Sequence, residues 1–291
     1  MHIRQTHGCK TLLLLVAICV IVAGCSRMNL AYRNLHLLIP WSLNDYLDMN
    51  RDQQQRFRAQ LRDHLSWHCR TQLPVYLDAI ERLRHQVAQG DINEATLRAH
   101  YQDAKQAIQT IAVEITPTTT QLLRDLDDEQ IRELSEAFAE DRREHDEKYL
   151  KPPLEQQIRE RAQRMGERVE RWMGNINAAQ RQRILDWAQT LGGQNRLWLA
   201  SRAQWQQTLI DALAKRQERD FEARIATLLQ DPESIWTTDY RNAFARTEQA
   251  AIDLVSDLYA LADADQRRHF EAQLEDLHDD LSSLDCLGES R

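Results

Sequence analysis

Glycine and proline are scarce in this chain of 291 residues, which contains eight glycines and six prolines. The sequence also lacks blocks of strictly alternating apolar and polar residues, and it lacks blocks rich in valine and threonine. β-Sandwiches and β-barrels depend on such alternation and on frequent turn residues. These absences exclude an all-β fold and favour helices throughout.

Sequence patterns that mark common active sites are missing as well. The chain has no G-x-S-x-G nucleophile elbow, no Walker-type phosphate loop, and neither the C-x-x-C-H haem pattern nor the C-x-x-C redox pattern. Acidic residues are too numerous for one pair to stand out as a sugar-cleaving dyad. The sequence therefore nominates no catalytic residue, no metal site and no cofactor, and it favours a protein that is not an enzyme.

The first 24 residues differ from all that follows. They contain Arg4 and Lys10 but no acidic residue, and an apolar run extends from Leu12 to Ala23. That run has about twelve residues, whereas a helix that spans a bilayer needs about 20. A basic start followed by a short apolar run is typical of a cleaved secretory signal. The alternative is an uncleaved membrane anchor.

The apolar run ends in Val22-Ala23-Gly24-Cys25, which resembles the lipobox of bacterial lipoproteins. The resemblance implies that residues 1–24 are a signal peptide, that the Cys25 thiol receives a diacylglyceryl group, and that a fatty acid such as palmitate is added to the new amine. Several acyl chains hold a protein stably on a membrane. Ser26 resembles the sorting residue of outer-membrane lipoproteins. We therefore expect a lipid anchor at Cys25 in the outer membrane, with the rest of the chain facing the periplasm.

The expected mature chain is strongly acidic. Loss of the two basic residues in the leader leaves 35 lysines and arginines against 45 aspartates and glutamates. Nucleic acids repel such a surface. We expect no nucleic-acid partner, and we expect contacts with the membrane or with an envelope protein instead.

Two cysteines remain after the leader and the lipidated position, namely Cys69 and Cys286. An oxidising compartment allows them to pair as a disulfide. The alternative is two unpaired thiols, because the sequence gives no distance between them.

Apolar residues recur three and four positions apart along the mature chain, which predicts amphipathic helices. The expected fold is all-α, a multi-helix bundle. We expect prolines to end helices or to lie in their first turns. This places helices near 51–72, 74–89, 94–114, 118–125, 128–149, 154–174, 178–191, 195–217, 221–229, 238–260 and 264–284.

A short pattern recurs at several predicted helix starts: an aspartate or asparagine is followed three positions later by glutamine. It occurs at 126–130, 176–180 and 262–266, with a degenerate copy at 92–96. The pattern predicts a capping box, in which the glutamine bonds back to the amide of the cap residue. It also resembles the L-T-x-x-Q motif of small helical periplasmic stress chaperones, although aspartate or asparagine replaces the threonine here.

The segment from Leu30 to Trp41 is rich in apolar residues and is not typical of a flexible tether. It either packs into the core, which we favour, or lies in the membrane interface. We treat residues 25–41 as a lipid-anchored N-terminal segment and residues 42–291 as the helical periplasmic domain.

His64 and His68 lie four positions apart on a predicted helix, a spacing that can bind zinc. The glutamate that follows the first histidine of zinc hydrolases is absent, and no third ligand can be named. The alternative is a partly exposed helix face without a metal.

Two further stripes are candidate binding surfaces. A basic stripe could bind anionic lipid or polysaccharide, but interleaved glutamates favour an ion-paired helix flank. An aromatic stripe could line a groove for a partner or a glycan, but such stripes more often pack in a core. The residues concerned are Arg161, Arg164, Arg168 and Arg171 for the first stripe, and Trp198, Arg202 and Trp205 for the second.

Several stretches together resemble a family of uncharacterised Gram-negative lipoproteins with a domain of unknown function. They are Leu30-Ala-Tyr-Arg-Asn-Leu, Leu38-Ile-Pro-Trp41, Trp67-His68, Leu73-Pro74 with Tyr76, Arg164-Met165, Glu167-Arg168, Glu170-Arg171-Trp172, and Trp198-Leu199 with Arg202 and Trp205. The resemblance implies a helical lipoprotein exposed to the periplasm and brings no activity.

The sequence leaves two functional hypotheses. The first is a non-enzymatic, membrane-anchored protein with a binding, chaperone-like or scaffold role in the cell envelope. The second is an envelope enzyme that acts on peptidoglycan or glycans.

Overall fold

The computed structural model describes Tyr32 and residues 34–284. These residues form ten α-helices and one 3-10 turn, with no strand among them, so the predicted all-α fold is confirmed. The expected leader, Cys25 and Cys286 lie outside the described residues. The helices are α1 Leu35–Leu47, α2 Arg51–Gln89, α3 Glu94–Arg124, α4 Asp128–Tyr149, α5 Leu154–Met173, α6 Ala178–Thr190, α7 Gln194–Leu213, α8 Phe221–Gln230, α9 Thr238–Ala260 and α10 Ala264–Ser282, and the 3-10 turn is Pro232–Ile235.

The two longest helices, α2 and α3, form an antiparallel hairpin. α2 has 39 residues and is roughly 58 Å long at 1.5 Å per residue. Gly90 ends it with a left-handed backbone, φ = 71°, which glycine adopts without steric cost. The hairpin runs past two separate groups of shorter helices.

A first core surrounds the N-terminal half of α2. α1, α4, α7, α8 and the C-terminal half of α3 pack here, around the fully buried Leu213 and Phe221. A second core lies between α5, α6 and α9, around Ile184 and Leu254. α10 packs along the remaining part of α2.

Three of the predicted helix breaks are wrong, because Pro40, Pro74 and Pro117 lie inside α1, α2 and α3. A proline inside a helix removes one backbone hydrogen bond and costs about 3 kcal/mol. In α2, Leu73 and Leu77 on either side of Pro74 pack against α10. Continuing the helix past the proline keeps that apolar surface buried, which outweighs the lost bond.

The recurrent cap pattern is confirmed as a set of capping boxes at the starts of α3, α4, α6 and α10. A further capping box begins α2, where Asn50 and Gln53 have the same spacing. Four of the helices with these boxes use a glutamine, and all four glutamines are buried: Gln53, Gln130, Gln180 and Gln266.

These buried glutamines bond to each other in two pairs. Gln53 and Gln130 each donate their side-chain N–H to the Oε1 atom of the other, at 3.1 and 2.9 Å. Gln180 and Gln266 do the same at 3.1 and 2.8 Å. Each pair therefore ties together the N-termini of two helices, α2 with α4 and α6 with α10.

The second N–H of each glutamine reaches the end of another helix. Gln53 donates to the carbonyl of Asp125 at 2.8 Å. Gln266 donates to the carbonyl of Asn175, also at 2.8 Å. The same polar junction thus occurs twice in the chain, once in each group of helices.

Candidate functional site

α1 connects the N-terminal part of the chain to the helical body. Its inner side chains Ile39, Leu43 and Leu47 pack in the first core. The side-chain Nε2 of Gln130 donates to the backbone carbonyls of Leu47 and Asp48, both at 3.0 Å. The N-terminal segment is therefore docked on the body, and α1 runs through the boundary between residues 41 and 42 that we placed from the sequence.

The opposite face of α1 is apolar and exposed. Leu37, Leu38 and Trp41 are 56%, 45% and 65% exposed, and we call these three residues the α1 outer face. Among the tryptophans in the described part of the chain, Trp41 alone is exposed. Asp45 and Asp48 continue the exposed surface toward the C-terminal end of the helix. The outer face is thus apolar only in the half of α1 that is nearer the start of the chain.

Tyr32, which precedes α1, forms a hydrogen-bonded cluster with α2. Its hydroxyl lies 3.0 Å from Nδ1 of His68, and the hydroxyl of Tyr76 lies 3.3 Å from Nε2 of the same imidazole. A neutral imidazole donates through one nitrogen and accepts through the other. One tyrosine therefore donates to His68 and the other accepts from it.

Burial keeps this cluster uncharged at neutral pH. Loss of hydration lowers the pKa of His68 to about 4, because the imidazolium form is disfavoured away from water. Burial raises the pKa of Tyr76 to about 12. Burial, together with the nearby Tyr76, raises the pKa of Tyr32 to about 12. Both hydrogen bonds between the tyrosine hydroxyls and the imidazole therefore join uncharged groups.

Cys69 lies beside this cluster, is 2% exposed and is disulfide-bonded. Cys286, the partner expected from the sequence, lies outside the described residues, so that pairing stays a prediction. Leu284, two positions before it, packs in the same apolar cluster as Cys69. The end of the described chain therefore lies against α2.

His64 and His68 bond to different neighbours. His64 contacts the carboxylate of Glu114 at 3.2 Å and the hydroxyl of Thr118 at 2.7 Å, both on α3. Within Tyr32 and residues 34–284, no group of three or more histidine, cysteine or acidic side chains could hold a metal ion. The histidine spacing instead connects α2 to α3 and to the N-terminal segment.

A buried polar cluster joins α4 to α7. Arg202 donates through Nε and Nη2 to one carboxylate oxygen of Asp141, at 3.0 and 2.9 Å. Gln206 donates to the same oxygen at 3.1 Å. His145, one turn after Asp141, has its Nδ1 2.6 Å from the Asp141 backbone carbonyl. The Asp141 side chain is 6% exposed, and a carboxylate buried to this degree needs a partner of opposite charge. The Arg202 guanidinium provides that partner.

The other two members of the aromatic stripe have separate surroundings. Trp198 stacks edge-on against His145 and Tyr149, with ring centroids 5.8 and 5.7 Å away. Trp205 packs against the first core and donates its indole N–H to the carbonyl of Leu228 at 3.1 Å. The structure therefore places the stripe between α7 and its neighbours α4 and α8, and a role in binding a glycan or partner stays a prediction.

The basic stripe on α5 is divided in the same way. Arg161 donates to the carbonyls of Ala188 and Gly192 at 2.8 and 3.1 Å, at the C-terminal end of α6. Burial, and to a smaller extent Arg164, lowers the pKa of Arg161. Arg164 lies 3.6 Å from Glu160. Arg164, Arg168 and Arg171 are exposed, and a role of this stripe in binding an anion stays a prediction.

An open groove of about 460 Å³ lies between α3 and α8. Because Pro117 has no backbone N–H, the carbonyl of Val113 receives no helical hydrogen bond at this point. Val113 itself is 51% exposed. The lining residues are Val113, Thr116, Pro117, Arg219, Glu222, Ala223, Ala226 and Gln230.

Comparison with known protein families identifies the helical body. Residues 45–241, about two thirds of the chain, match a family of unknown function, DUF6279. The chain belongs to the DUF6279 family. The DUF6279 match includes the Gln53–Gln130 pair and the groove, whereas the α1 outer face precedes it. Neither a curated protein nor a solved structure matches the chain.

No helix among the described residues is long and apolar enough to cross a membrane. The tyrosines that hold His68, and the Asp141 carboxylate that holds Arg202, were missed from the sequence. Only the Asp141–His145 spacing of four positions on one helix gave a local signal. Tyr32 and His68 are 36 positions apart, so their contact had none.

Proposed function

We propose that this DUF6279 protein is exported, is attached to the outer membrane through lipid on Cys25, and faces the periplasm. There it binds or holds other envelope proteins without catalysing a reaction. The leader and the V-A-G-C sequence support the anchor. The scaffold role draws support from the way the start of the described chain is fixed to the body.

The docking of Tyr32 and α1 carries this proposal. Tyr32 is bonded to α2, and Cys25 precedes it by only seven positions. A fully extended chain of that length spans at most about 25 Å. Lipid on Cys25 would therefore keep the helical body at the membrane surface, instead of letting it range through the periplasm on a long tether.

Mass spectrometry of the N-terminal peptide tests the anchor. In protein purified from membranes, we expect the chain to begin at Cys25 and to carry diacylglyceryl and fatty-acyl groups. The variant Cys25→Ser should lack the lipid and should keep its leader uncut before residue 25. A native chain with an unmodified Cys25 would overturn the anchor.

Site-specific crosslinking tests the binding role at the groove between α3 and α8. A photoreactive residue at Val113 should give discrete protein adducts in intact cells. The same residue at Val255, which is 46% exposed on α9, is the matched control. If Val113 gives no adduct above the control, and the purified protein releases fragments from cell-wall material, the enzyme alternative replaces this proposal.

A further inference from the structure

We propose that the α1 outer face inserts into the lipid leaflet that holds Cys25 and forms a second membrane contact beside the acyl chains. The inference rests on the proposed function for the identity of the membrane. Its chemistry rests on Leu37, Leu38 and Trp41 alone. A measurement that does not involve lipid on Cys25 can therefore test the inference.

The three side chains have the composition of an interfacial membrane contact. Transfer of a leucine side chain from water into acyl chains is favourable, and the free energy gained increases with the apolar area buried. Tryptophan favours the boundary between headgroups and acyl chains, because its ring is apolar and its indole N–H is polar. Trp41 is 65% exposed, so most of its surface is available to lipid.

The outer face is free to meet a membrane because the inner face of α1 is already used. Ile39 and Leu43 pack in the first core. The helix cannot turn its outer side chains inward without exposing those residues. It is also fixed at its C-terminal end, where Gln130 bonds to the carbonyl of Leu47. The body therefore presents the apolar patch in a fixed orientation.

Chain length places this patch near the expected anchor. Cys25 precedes Leu37 by twelve positions, which an extended chain spans in no more than about 43 Å. The patch is thus within reach of the leaflet that any lipid on Cys25 would enter.

Charge along the helix defines how the patch would enter. Asp45 and Asp48 are exposed beyond Trp41, and carboxylates are costly to move out of water. The C-terminal half of α1 should therefore stay in the aqueous phase. The helix would insert obliquely, with its N-terminal half deepest.

Vesicle binding of the chain from residue 25 to residue 291, with Cys25→Ser, tests the inference without any attached lipid. The probe is a vesicle of phosphatidylethanolamine and phosphatidylglycerol. We expect binding, with a blue shift of tryptophan emission when vesicles are added. Trp41→Phe should keep the binding and lose most of the shift, because the remaining tryptophans of the described chain are more buried.

The double variant Leu37→Ser and Trp41→Ser should lower the vesicle partition coefficient at least about tenfold, since two large apolar side chains no longer enter lipid. The matched control is Leu154→Ser with Val255→Ser, which are 49% and 46% exposed on other helices. The control should bind as the parent does. Circular dichroism should show the same helicity in all variants, because every substituted side chain is exposed.

Two outcomes overturn the inference. The first is equal loss of vesicle binding in the outer-face variant and in the control. The second is absence of vesicle binding by the parent chain. If size-exclusion chromatography then shows self-association that only the outer-face variant abolishes, the patch is a contact between copies of the chain. Failure of lipid attachment at Cys25 changes neither result. Failure of the proposed function can therefore be distinguished from failure of this inference.

Discussion

His68 makes the stability of the protein depend on pH through one half-buried side chain. Its pKa is lowered to about 4 in the folded chain, against about 6.5 in an unfolded one. Between these values the unfolded chain binds the additional proton, so stability rises with pH. The gain is complete above the unfolded pKa and is lost as the pH falls toward 4.

We expect the contribution of His68 to the free energy of unfolding to be about 2 kcal/mol smaller at pH 5 than at pH 7. Urea denaturation at the two pH values measures it. His68→Gln should reduce the difference between the two by that amount. His85→Gln, a change at an exposed position of α2, is the control. An unchanged pH dependence in His68→Gln would show that the histidine does not titrate as described.

At the scale of helix junctions, the paired glutamines are buried side chains that each bond to several partners. Gln180 is 0% exposed and bonds to the amide of Asn177, the carbonyl of Leu258 and the side chain of Gln266. Removal of one partner leaves buried donors and acceptors without bonds, which costs more than the bonds themselves contribute. The junction should therefore tolerate no single truncation.

We expect Gln180→Ala to lower the free energy of unfolding by about 2–4 kcal/mol, since it removes both a cap and a buried pair. Gln182→Ala, on the exposed side of α6, should change it by less than about 0.5 kcal/mol. Chemical denaturation compares the two variants. A double-mutant cycle with Gln266→Ala should show strong coupling, and additive effects would contradict the reciprocal bonding.

The proline inside α2 gives a prediction of opposite sign. Pro74 is exposed, and it denies the helix the hydrogen bond that an amide at this position would donate. Pro74→Ala should therefore raise the free energy of unfolding by up to about 3 kcal/mol. Val75→Ala, at the neighbouring exposed position, should be nearly neutral. A loss of stability in Pro74→Ala would mean that the packing against α10 depends on the proline.

At the scale of the whole molecule, Cys69 on α2 is disulfide-bonded, and the partner expected from the sequence is Cys286. If its partner is Cys286, the closed loop contains more than 200 residues, which the chain-entropy model values at roughly 5 kcal/mol. Cys69→Ser and Cys286→Ser should then destabilise the chain equally. In the mature chain with lipid on Cys25, each variant should show one free thiol on titration of the unfolded protein. A loss in Cys69→Ser that Cys286→Ser does not share would exclude this pairing.

The sequence alone predicted the all-α fold and most helix ends. Helical periodicity and caps are local properties, encoded within a few residues of one another. The box of Asn50 and Gln53 that begins α2 has the same spacing as the box of Asp127 and Gln130 that begins α4. The capping-box pattern could therefore have predicted the box of Asn50 and Gln53 from the sequence as well.

Prediction from the sequence failed where a structural feature depends on residues that are far apart in the chain. Local propensity places a break at Pro74, but the helix continues because residues around it bury apolar surface against α10, near the other end of the described chain. The four cap glutamines were found or could be found one by one. Their pairing could not, because it depends on which helix starts meet in the folded chain.

What the sequence determined by itself is the helical class and the caps, since each is encoded in neighbouring residues. The export leader and the lipid on Cys25 stay predictions. The tertiary structure decided which apolar residues of the N-terminal segment are buried. Ile39 and Leu43 pack inward, whereas Leu37 and Trp41 stay exposed. All four are apolar, so only the contact of one helix face with the body separates core from surface.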